Sequence, residues 1–182
     1  MNHPYKQMYI EKVVPSLSEK FGYKNPHQIP KIIKIKVNRG LGLAAQNKTI
    51  LQKSVEEVRL ITGQQPIITR AKKSIAGFKI REEMELGVTV TLRREKMYSF
   101  LERLINLVLP RVRDFRGLDD KAFDKFGNYN FGILEQLVFP EISYNIIDQS
   151  RGYNITIVTT AKTSAEGYEL LSEFGFPFKK SV

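Results

Sequence analysis

Three segments of this chain alternate apolar and polar residues with a period of two, and this alternation constrains the fold more than any other feature of the sequence. The segments run from Lys31 to Arg39, from Gly87 to Arg93 and from Tyr153 to Thr160. A period of two places every second side chain on the same face, so each segment predicts a β-strand with one apolar and one polar face. In the first two segments the predicted inner residues are Ile33, Ile35, Val37, Val88, Val90 and Leu92, and the predicted outer residues are Lys34, Lys36, Asn38, Thr89, Thr91 and Arg93.

Other stretches of the chain carry helical spacing or turn residues. A first helix is predicted from Pro4 to Gly22, with a kink at Pro15 because proline cannot donate the intrahelical hydrogen bond. Pro66 to Thr69 is a short strand candidate, and Gly127 to Gly132 predicts the turn of a hairpin. The other predicted helices are one that Asn47 caps and Gly63 ends, one that presents Met97, Phe100, Leu101, Leu104, Ile105 and Val108 and stops at Pro110, and one from Thr163 to Gly175.

The combination of these strands and helices indicates the fold class. Strands with an apolar inner face and a polar outer face are typical of an antiparallel sheet that is covered on one side only. The sequence therefore predicts an α+β protein with a mainly antiparallel sheet, helices packed on one face, an open polar face for RNA and a protruding basic loop. At 182 residues the chain is long enough to bury a sizeable core, and we predict a single domain over residues 1–182.

The charge of the chain is distributed unevenly. The formal net charge is +10; up to Arg116 there are 23 Lys and Arg residues against 10 Asp and Glu, or +13, and from Gly117 onwards 6 against 9, or −3. Clustered cations gain affinity for nucleic acid because they release the counterions condensed on phosphates. We therefore predict that the basic part, about residues 1–116, binds RNA, and that the acidic part, about residues 117–182, contacts something else.

The segment from Arg70 to Arg81 concentrates the positive charge. Its twelve residues include five cations, no acidic residue and one aromatic residue, Phe78. Phosphate contacts together with stacking on one ring are a common way to bind RNA. The alternative is a solvated basic loop or a helix that exposes its charges, and the cationic faces of the neighbouring predicted strands make this alternative less favoured. The five cations are Arg70, Lys72, Lys73, Lys79 and Arg81.

The sequence offers little for catalysis, metals or cofactors. Gly40 to Ala45 matches the G-x-G-x-x-A turn of dinucleotide-binding proteins, but no acidic residue ends the next strand candidate to hold a ribose, so a simple tight turn is favoured. His3 and His27 are the only histidines, and there is no cysteine, which leaves little material for a histidine-based triad or a metal site. The acidic clusters within residues 82–85 and 119–124 are interpreted as solvated surface. We predict no catalytic residue, no metal and no cofactor.

The beginning of the chain and its hydropathy bear on localisation. The first residues contain no apolar signal core, and no apolar run approaches the length of a membrane span. We expect a protein that stays in the compartment where it is made and has no membrane partner.

Five stretches of the sequence are specific enough to indicate a family. They are Thr69 to Arg81, Pro110 to Gly117, Gly127 to Tyr129, Phe139 to Glu141 and Phe176 to Phe178. With these stretches the chain closely resembles, from about residue 9 to residue 179, the bacterial-type ribosomal protein L5, which binds 5S ribosomal RNA. The resemblance implies a structural constituent of the large ribosomal subunit that lies in the central protuberance, in a bacterial cytoplasm or a plastid stroma. The implied partners are 5S rRNA, 23S-type rRNA, the P-site tRNA and, across a subunit bridge, the small-subunit head protein called S-thirteen.

The resemblance also implies roles for individual residues. The surface that faces 5S rRNA would comprise Lys36, Asn38, Gln64, Thr89, Thr91 and Arg93, to which the predicted outward face adds Lys34. The loop that would contact tRNA carries Arg70, Lys72, Lys73, Phe78, Lys79 and Arg81. The chain departs from the family at a few positions: Arg94 stands where the family often has glycine, Phe126 interrupts its usual Gly-Arg, and Glu83 and Glu85 add acid beside the basic loop.

These observations support one functional hypothesis above two others. We predict a non-catalytic scaffold that attaches 5S rRNA through the outer face of the sheet and reserves the segment Arg70 to Arg81 for tRNA. The composition would also suit a free-standing RNA-binding regulator with a sheet platform, although no RNP-type aromatic motif lies on the predicted strands. An enzyme that uses the Gly40 turn is the third hypothesis.

Overall fold

The computed structural model of the chain describes residues 3–143, 147 and 149–179, apart from the side chain of Leu43. Its strands are β1 (Ile32–Gly40), β2 (Ile67–Arg70), β3 (Glu85–Leu92), β4 (Tyr129–Ile133) and β5 (Tyr153–Thr159). They form one sheet in the order β2-β3-β1-β5-β4. β2 and β3 are antiparallel, with Ile67 opposite Thr89 and Thr69 opposite Gly87. The predicted α+β class with an antiparallel sheet is confirmed.

The α-helices of the described residues lie in the predicted helical segments, and two of them begin at the predicted capping residues. They are α1 (Pro4–Met8), α2 (Val14–Phe21), α3 (Lys48–Thr62), α4 (Arg94–Arg103) and α5 (Ser164–Glu173). The side chain of Asn47 accepts a hydrogen bond from the backbone N–H of Thr49 at 3.0 Å, and Gly63 ends α3 with a φ of +64°. The hydroxyl of Thr163 accepts from the backbone N–H of Glu166 at 3.3 Å at the start of α5.

The predicted disruption at Pro15 takes the form of a π-helical turn. Residues Tyr9–Val13 form this turn between α1 and α2, and the backbone N–H of Val14 donates to the carbonyl of Tyr9, five residues earlier. Because Pro15 has no N–H and its ring would crowd a regular turn, the wider turn allows the chain to remain helical up to Phe21.

The chain divides into two compact units. Unit 1 combines residues 1–35, 93–131 and 156–182, and unit 2 combines residues 36–92 and 132–155. Helices α1, α2, α4 and α5 belong to unit 1, whereas α3, β2 and β3 belong to unit 2. The single domain over residues 1–182 stays a prediction.

In unit 1, aromatic rings pack around the buried Tyr129. Its ring centroid lies 4.5 Å from that of Phe123 and 5.6 Å from that of Phe178, and its hydroxyl donates to the backbone carbonyl of Asp119 at 2.9 Å. The ring of Tyr129 therefore anchors β4 to the loops around it.

The prediction of a hairpin turn over Gly127–Gly132 is wrong in its extent. The tight turn lies at residues 124–128, where the Asp124 carboxylate accepts from the backbone N–H groups of Phe126 and Asn128 at 2.9 and 2.8 Å, and the following residues form β4. Burial is the largest influence on the pKa of Asp124 and would raise it, but these hydrogen bonds together outweigh burial and lower the pKa. Gly127 is required by close packing as well as by its φ of +72°, since a Cβ there would lie 2.6 Å from that of Ala161.

The alternation of β1 and β3 is confirmed with one exception. Ile35, Val37, Val88, Val90 and Leu92 are buried, as predicted. The prediction for Ile33 is wrong, since its side chain is 40% exposed and lines an open groove of unit 1 near the beginning of the strand. The regular inward and outward alternation of β1 therefore begins only at the third residue of the strand.

Candidate nucleic-acid interface

The outer faces of β1 and β3 in unit 2 carry most of the side chains that the resemblance assigns to 5S rRNA. Lys36 is exposed, and Asn38, Thr89 and Thr91 are half-buried, while the apolar residues that alternate with them point into the core. Gln64, which follows the end of α3, is also half-buried. The alternation thus presents cationic, amide and hydroxyl groups together on one face of unit 2.

Two of these side chains are held in place by the sheet. The hydroxyl of Thr89 donates to the carbonyl of Val37 on the neighbouring strand at 3.3 Å, and the side-chain amide of Gln64 donates to the carbonyl of Thr91 at 3.1 Å. With its proton engaged, the Thr89 oxygen offers acceptor lone pairs, which suit a donor such as the ribose 2′-hydroxyl. Because these hydrogen bonds restrict the two side chains, a partner that bound them would cost less conformational entropy.

Lys34 and Arg93 belong to unit 1. Lys34 is half-buried on β1, whereas Arg93 directly follows β3 and is exposed. Both are accessible to a polyanion, and Arg93 also lines the open groove of unit 1 that Ile33 borders.

A buried ionic network in the core of unit 2 was not predicted from the sequence. Arg39 and Glu57 are both fully buried and form an ion pair through Nη1 and Oε2. The Arg39 guanidinium also donates to the hydroxyl of Ser54 at 3.4 Å and to the backbone carbonyl of Arg151 at 3.1 Å. Its carbon Cζ lies 4.2 Å from the ring centroid of Tyr153. The charge of Arg39 is therefore neutralised inside the protein and does not reach the surface.

The sequence does contain a signal for this network. Arg39 lies two residues after Val37 and four after Ile35. The alternation that points those two residues inward therefore also points Arg39 inward. Glu57 lies one residue before the buried Val58 and four before Ile61, on the apolar face of α3. A cation and an acid on two inward faces that pack together indicate a buried pair.

The environment of Tyr153 follows from the same network. Burial raises the pKa of its hydroxyl well above the ordinary value of 10.0; the charge of Arg39 opposes this rise, and Glu57 adds to it. The hydroxyl donates to Glu57 Oε2 at 3.4 Å. Tyr153 is therefore a protonated donor throughout the neutral pH range and helps to satisfy the buried carboxylate.

The segment Arg70–Arg81, called the basic arm below, is a hydrogen-bonded hairpin. Near its base the backbone N–H of Ala71 donates to the carbonyl of Met84 at 2.8 Å. Near its tip Ile75 and Ile80 exchange two backbone hydrogen bonds, at 2.9 and 3.1 Å. This pairing gives the basic arm a defined backbone.

The tip of the basic arm exposes apolar as well as charged groups. A 3₁₀ turn over Ala76–Phe78 is followed by Lys79, whose φ of +54° reverses the chain. Phe78 is 67% exposed and Ile75 is 47% exposed. Since an exposed aromatic ring loses little packing when it binds a partner, Phe78 is available for stacking on a base.

All five cations of the basic arm are exposed. Arg70 is partly neutralised at the base, because its Nη2 lies 3.4 Å from Oε1 of Glu85. Glu83, with a φ of +62°, is exposed near the same end. The two acidic departures from the family thus lie at the base of the basic arm, while Lys72, Lys73 and Lys79 lie farther along it.

The turn at Gly40–Ala45 does not belong to a dinucleotide-binding fold. The backbone N–H of Leu41 donates to the carbonyl of Leu86 at 2.9 Å, where the chain leaves β1 beside its antiparallel neighbour β3. A dinucleotide site requires a parallel βαβ unit at this point. Gly42 has a φ of +55°, which confirms the interpretation of a tight turn that needs glycine.

The histidines and acidic clusters have other contacts. The ring of His3 stacks on Tyr98 at 6.5 Å, and its Nε2 lies 3.5 Å from Glu102, while His27 is exposed. Within the described residues, no three His, Asp or Glu side chains come together in a way that could hold a metal ion. In that same part of the chain, no helix has both the length and the apolarity needed to cross a bilayer.

Comparison with known proteins identifies the family. The family model of ribosomal protein L5 matches residues 25–81, and the model of the C-terminus of the same ribosomal family matches residues 85–178. The large ribosomal subunit protein uL5c of Heterosigma akashiwo is 66% identical over 181 residues, with 100% of both chains covered. The uL5 protein of Rippkaea orientalis is 60% identical over 174 residues (96% and 97% covered), and the uL5c protein of Gracilaria tenuistipitata var. liui is 59% identical over 178 residues (98% and 99% covered). The chain therefore belongs to the ribosomal protein L5 family, a family of large-subunit ribosomal proteins.

Proposed function

We propose that this chain is a structural, non-catalytic component of the large ribosomal subunit, in a bacterial cytoplasm or a plastid, and that it binds 5S rRNA with the outer face of its sheet. The observation that carries this proposal is the alternation of β1 and β3, which leaves Lys36, Asn38, Thr89 and Thr91 accessible above a buried apolar core. Such a face offers cations to phosphates and hydroxyl and amide groups to riboses. In this proposal the chain attaches 5S rRNA in the central protuberance, where it also contacts 23S-type rRNA.

The basic arm has a separate role in this proposal, the contact with the P-site tRNA. Its support is the hairpin backbone, the exposed ring of Phe78 and the exposed Lys72, Lys73 and Lys79. The three lysine side chains are long and solvated, so they can contact a phosphate backbone without any rearrangement of the core. A bridge to S-thirteen in the small-subunit head is also part of the proposal, and its support is membership of the family.

Binding of the purified chain to 5S rRNA across a salt series tests the central proposal. We expect binding that is selective for 5S rRNA over an unrelated RNA of equal length and whose affinity falls steeply with salt. Each phosphate contact contributes a slope of roughly 0.7 to 0.9 in a plot of log affinity against log salt. A slope near zero, or equal affinity for the unrelated RNA, would contradict the proposal.

A variant of the sheet face sharpens the same test. Lys36→Gln should reduce the slope by about 0.7 to 0.9, because it removes one cation from the proposed RNA-binding face. Lys162→Gln is the matched control, since Lys162 is exposed and is not one of the predicted contacts. Equal slopes for the two variants would show that this face of β1 does not contact the RNA.

A further inference from the structure

Unit 1 contains an open groove of about 850 Å³ that has no part in the functions described so far, apart from Arg93. The charged side chains that line it are Lys6, Lys31, Arg93, Arg94, Glu95 and Lys96. Five cations and one acid thus line a single cavity, which gives it an excess of positive charge. Because like charges repel, such a cluster becomes favourable when an anion occupies the space between them.

Tertiary structure brings these cations together from three parts of the sequence. Lys31 directly precedes β1 and Arg93 directly follows β3. These strands are antiparallel neighbours, so the beginning of one lies beside the end of the other. Lys6 is carried by α1, whose Tyr5 hydroxyl donates to the side-chain amide of Asn106, just beyond α4, at 3.4 Å.

The backbone at Arg94 supports a functional interpretation of the groove. Arg94 has a φ of +54°, which lies in the left-handed region that residues other than glycine rarely adopt. Glycine would relieve this conformation, yet the chain has an arginine here, and that arginine lines the groove. Because strained backbone conformations cluster at functional sites, the position of Arg94 in the groove marks the groove as a candidate site.

We propose that this groove binds the phosphodiester backbone of an RNA strand and forms a contact additional to the outer face of β1 and β3 and to the basic arm. It rests on the RNA-binding function proposed above. A volume of about 850 Å³ with cations contributed from several segments fits a run of phosphates better than one small anion. Ile33, 40% exposed at the groove, leaves an apolar surface against which a ribose can pack.

The test compares two doubly neutralised variants in salt-dependent binding to purified 5S rRNA and to 23S-type rRNA. The groove variant is Lys31→Gln/Arg94→Gly, in which glycine removes the cation and also relieves the left-handed conformation. The control variant is Lys125→Gln/Lys162→Gln, which removes two exposed cations of the same unit that do not line the groove. For the RNA that occupies the groove, the groove variant should lose about 1.4 to 1.8 from the salt slope and roughly tenfold in affinity. The control should stay near the original values.

The outcomes separate this inference from the proposed function. If the unmodified chain binds neither RNA in a salt-dependent way, the proposed function fails. If it binds but the groove and control variants behave alike with both RNAs, only the groove contact is overturned. Displacement of RNA by micromolar inorganic phosphate would also overturn it, since the groove would then be a site for a single small anion.

Site-directed cleavage gives a second measurement that does not depend on a change in affinity. The chain has no cysteine, so Lys96→Cys introduces a single attachment point for an iron chelate that generates hydroxyl radicals. Bound RNA should be cut at one short run of nucleotides from this position and not from the control Lys125→Cys. The same cuts from both positions, or none from the first, would contradict an RNA strand in the groove.

Discussion

The outer face of the sheet and the basic arm are both proposed to contact RNA, but they are built in different ways. On the sheet, short polar side chains such as Thr89 are half-buried and hydrogen-bonded to a neighbouring strand above a closely packed core. On the basic arm, Lys72, Lys73 and Lys79 are exposed around the ring of Phe78, and the backbone is closed by its own hairpin hydrogen bonds. The sheet therefore offers a surface whose shape is fixed by hydrogen bonds and core packing. The basic arm instead offers long charged side chains that are free to adjust to a partner, because few other residues pack against them.

The largest loss of stability that leaves the proposed RNA contacts of the sheet unchanged is expected when one partner of the buried ion pair is removed. Glu57→Ala should lower the free energy of unfolding by about 3 to 5 kcal/mol, because the charge of Arg39 is then left buried without its carboxylate. Chemical denaturation monitored by circular dichroism measures this change. Binding to 5S rRNA should be lost as the sheet unfolds.

The double variant Arg39→Met/Glu57→Leu is the matched control for this prediction. Replacement of both charges by apolar side chains of similar size often costs little or even stabilises a protein, so this variant should be far more stable than Glu57→Ala. It should also retain 5S binding, since neither charge reaches the surface. A loss below about 1 kcal/mol in Glu57→Ala would show that leaving Arg39 buried without its carboxylate has little cost, and would contradict the prediction.

Neutralisation of the basic arm should have the opposite pattern of effects. Lys72→Gln/Lys73→Gln/Lys79→Gln is expected to leave stability and most 5S affinity intact, because all three side chains are exposed and none supports the sheet. On large subunits that carry the variant, binding of P-site tRNA should weaken, and its salt slope should fall by about 2 to 3. A collapse of 5S binding in this variant would refute the division of labour between sheet and arm.

Removal of the exposed ring tests stacking separately from charge. Phe78→Ala should weaken the tRNA contact by about 1 to 3 kcal/mol, the usual range for the loss of a stacked base. Its effect on stability should be within about 0.5 kcal/mol, since Phe78 is 67% exposed. Phe78→Tyr, which keeps the aromatic ring, is the control, and equal tRNA binding by the two variants would exclude stacking.

The smallest effect is expected for a single hydroxyl of the sheet. Thr89→Val keeps the shape of the side chain but removes the hydrogen bond to Val37, and it should cost about 0.5 to 1.5 kcal/mol of stability. Affinity for 5S rRNA should fall only severalfold, and Thr89→Ser should restore it. If the valine variant binds 5S rRNA as well as the unmodified chain, the hydroxyl is not an RNA contact.

Much of the fold could be predicted because its signals are local. The caps at Asn47 and Gly63 and the alternation from Gly87 to Leu92 depend on residues a few positions apart, and the structure confirms them. The hairpin predicted over Gly127–Gly132 was wrong because the same residues that form turns also allow close packing. Gly127 approaches Ala161, which no local pattern reveals.

The candidate site could be predicted less completely, and for a physical reason. Alternation correctly placed Lys36 and Thr89 on the outer face, but a count of cations could not tell that Arg39 on the same strand lies in the core with Glu57. The count also could not show that Lys31 and Arg94 line the same groove. The charge available to a partner depends on what each side chain meets after folding.

By itself, the sequence determined the period of the strands, the ends of the helices and the excess of positive charge in its first two-thirds. These properties follow from short-range geometry and composition. Only the tertiary structure decided how that charge is divided: one arginine is buried in an ion pair, five cations lie along an exposed hairpin, and another five surround a groove. The physical reason is that burial and Coulomb interaction depend on distances in space, which chain positions far apart acquire only when the sheet and helices pack.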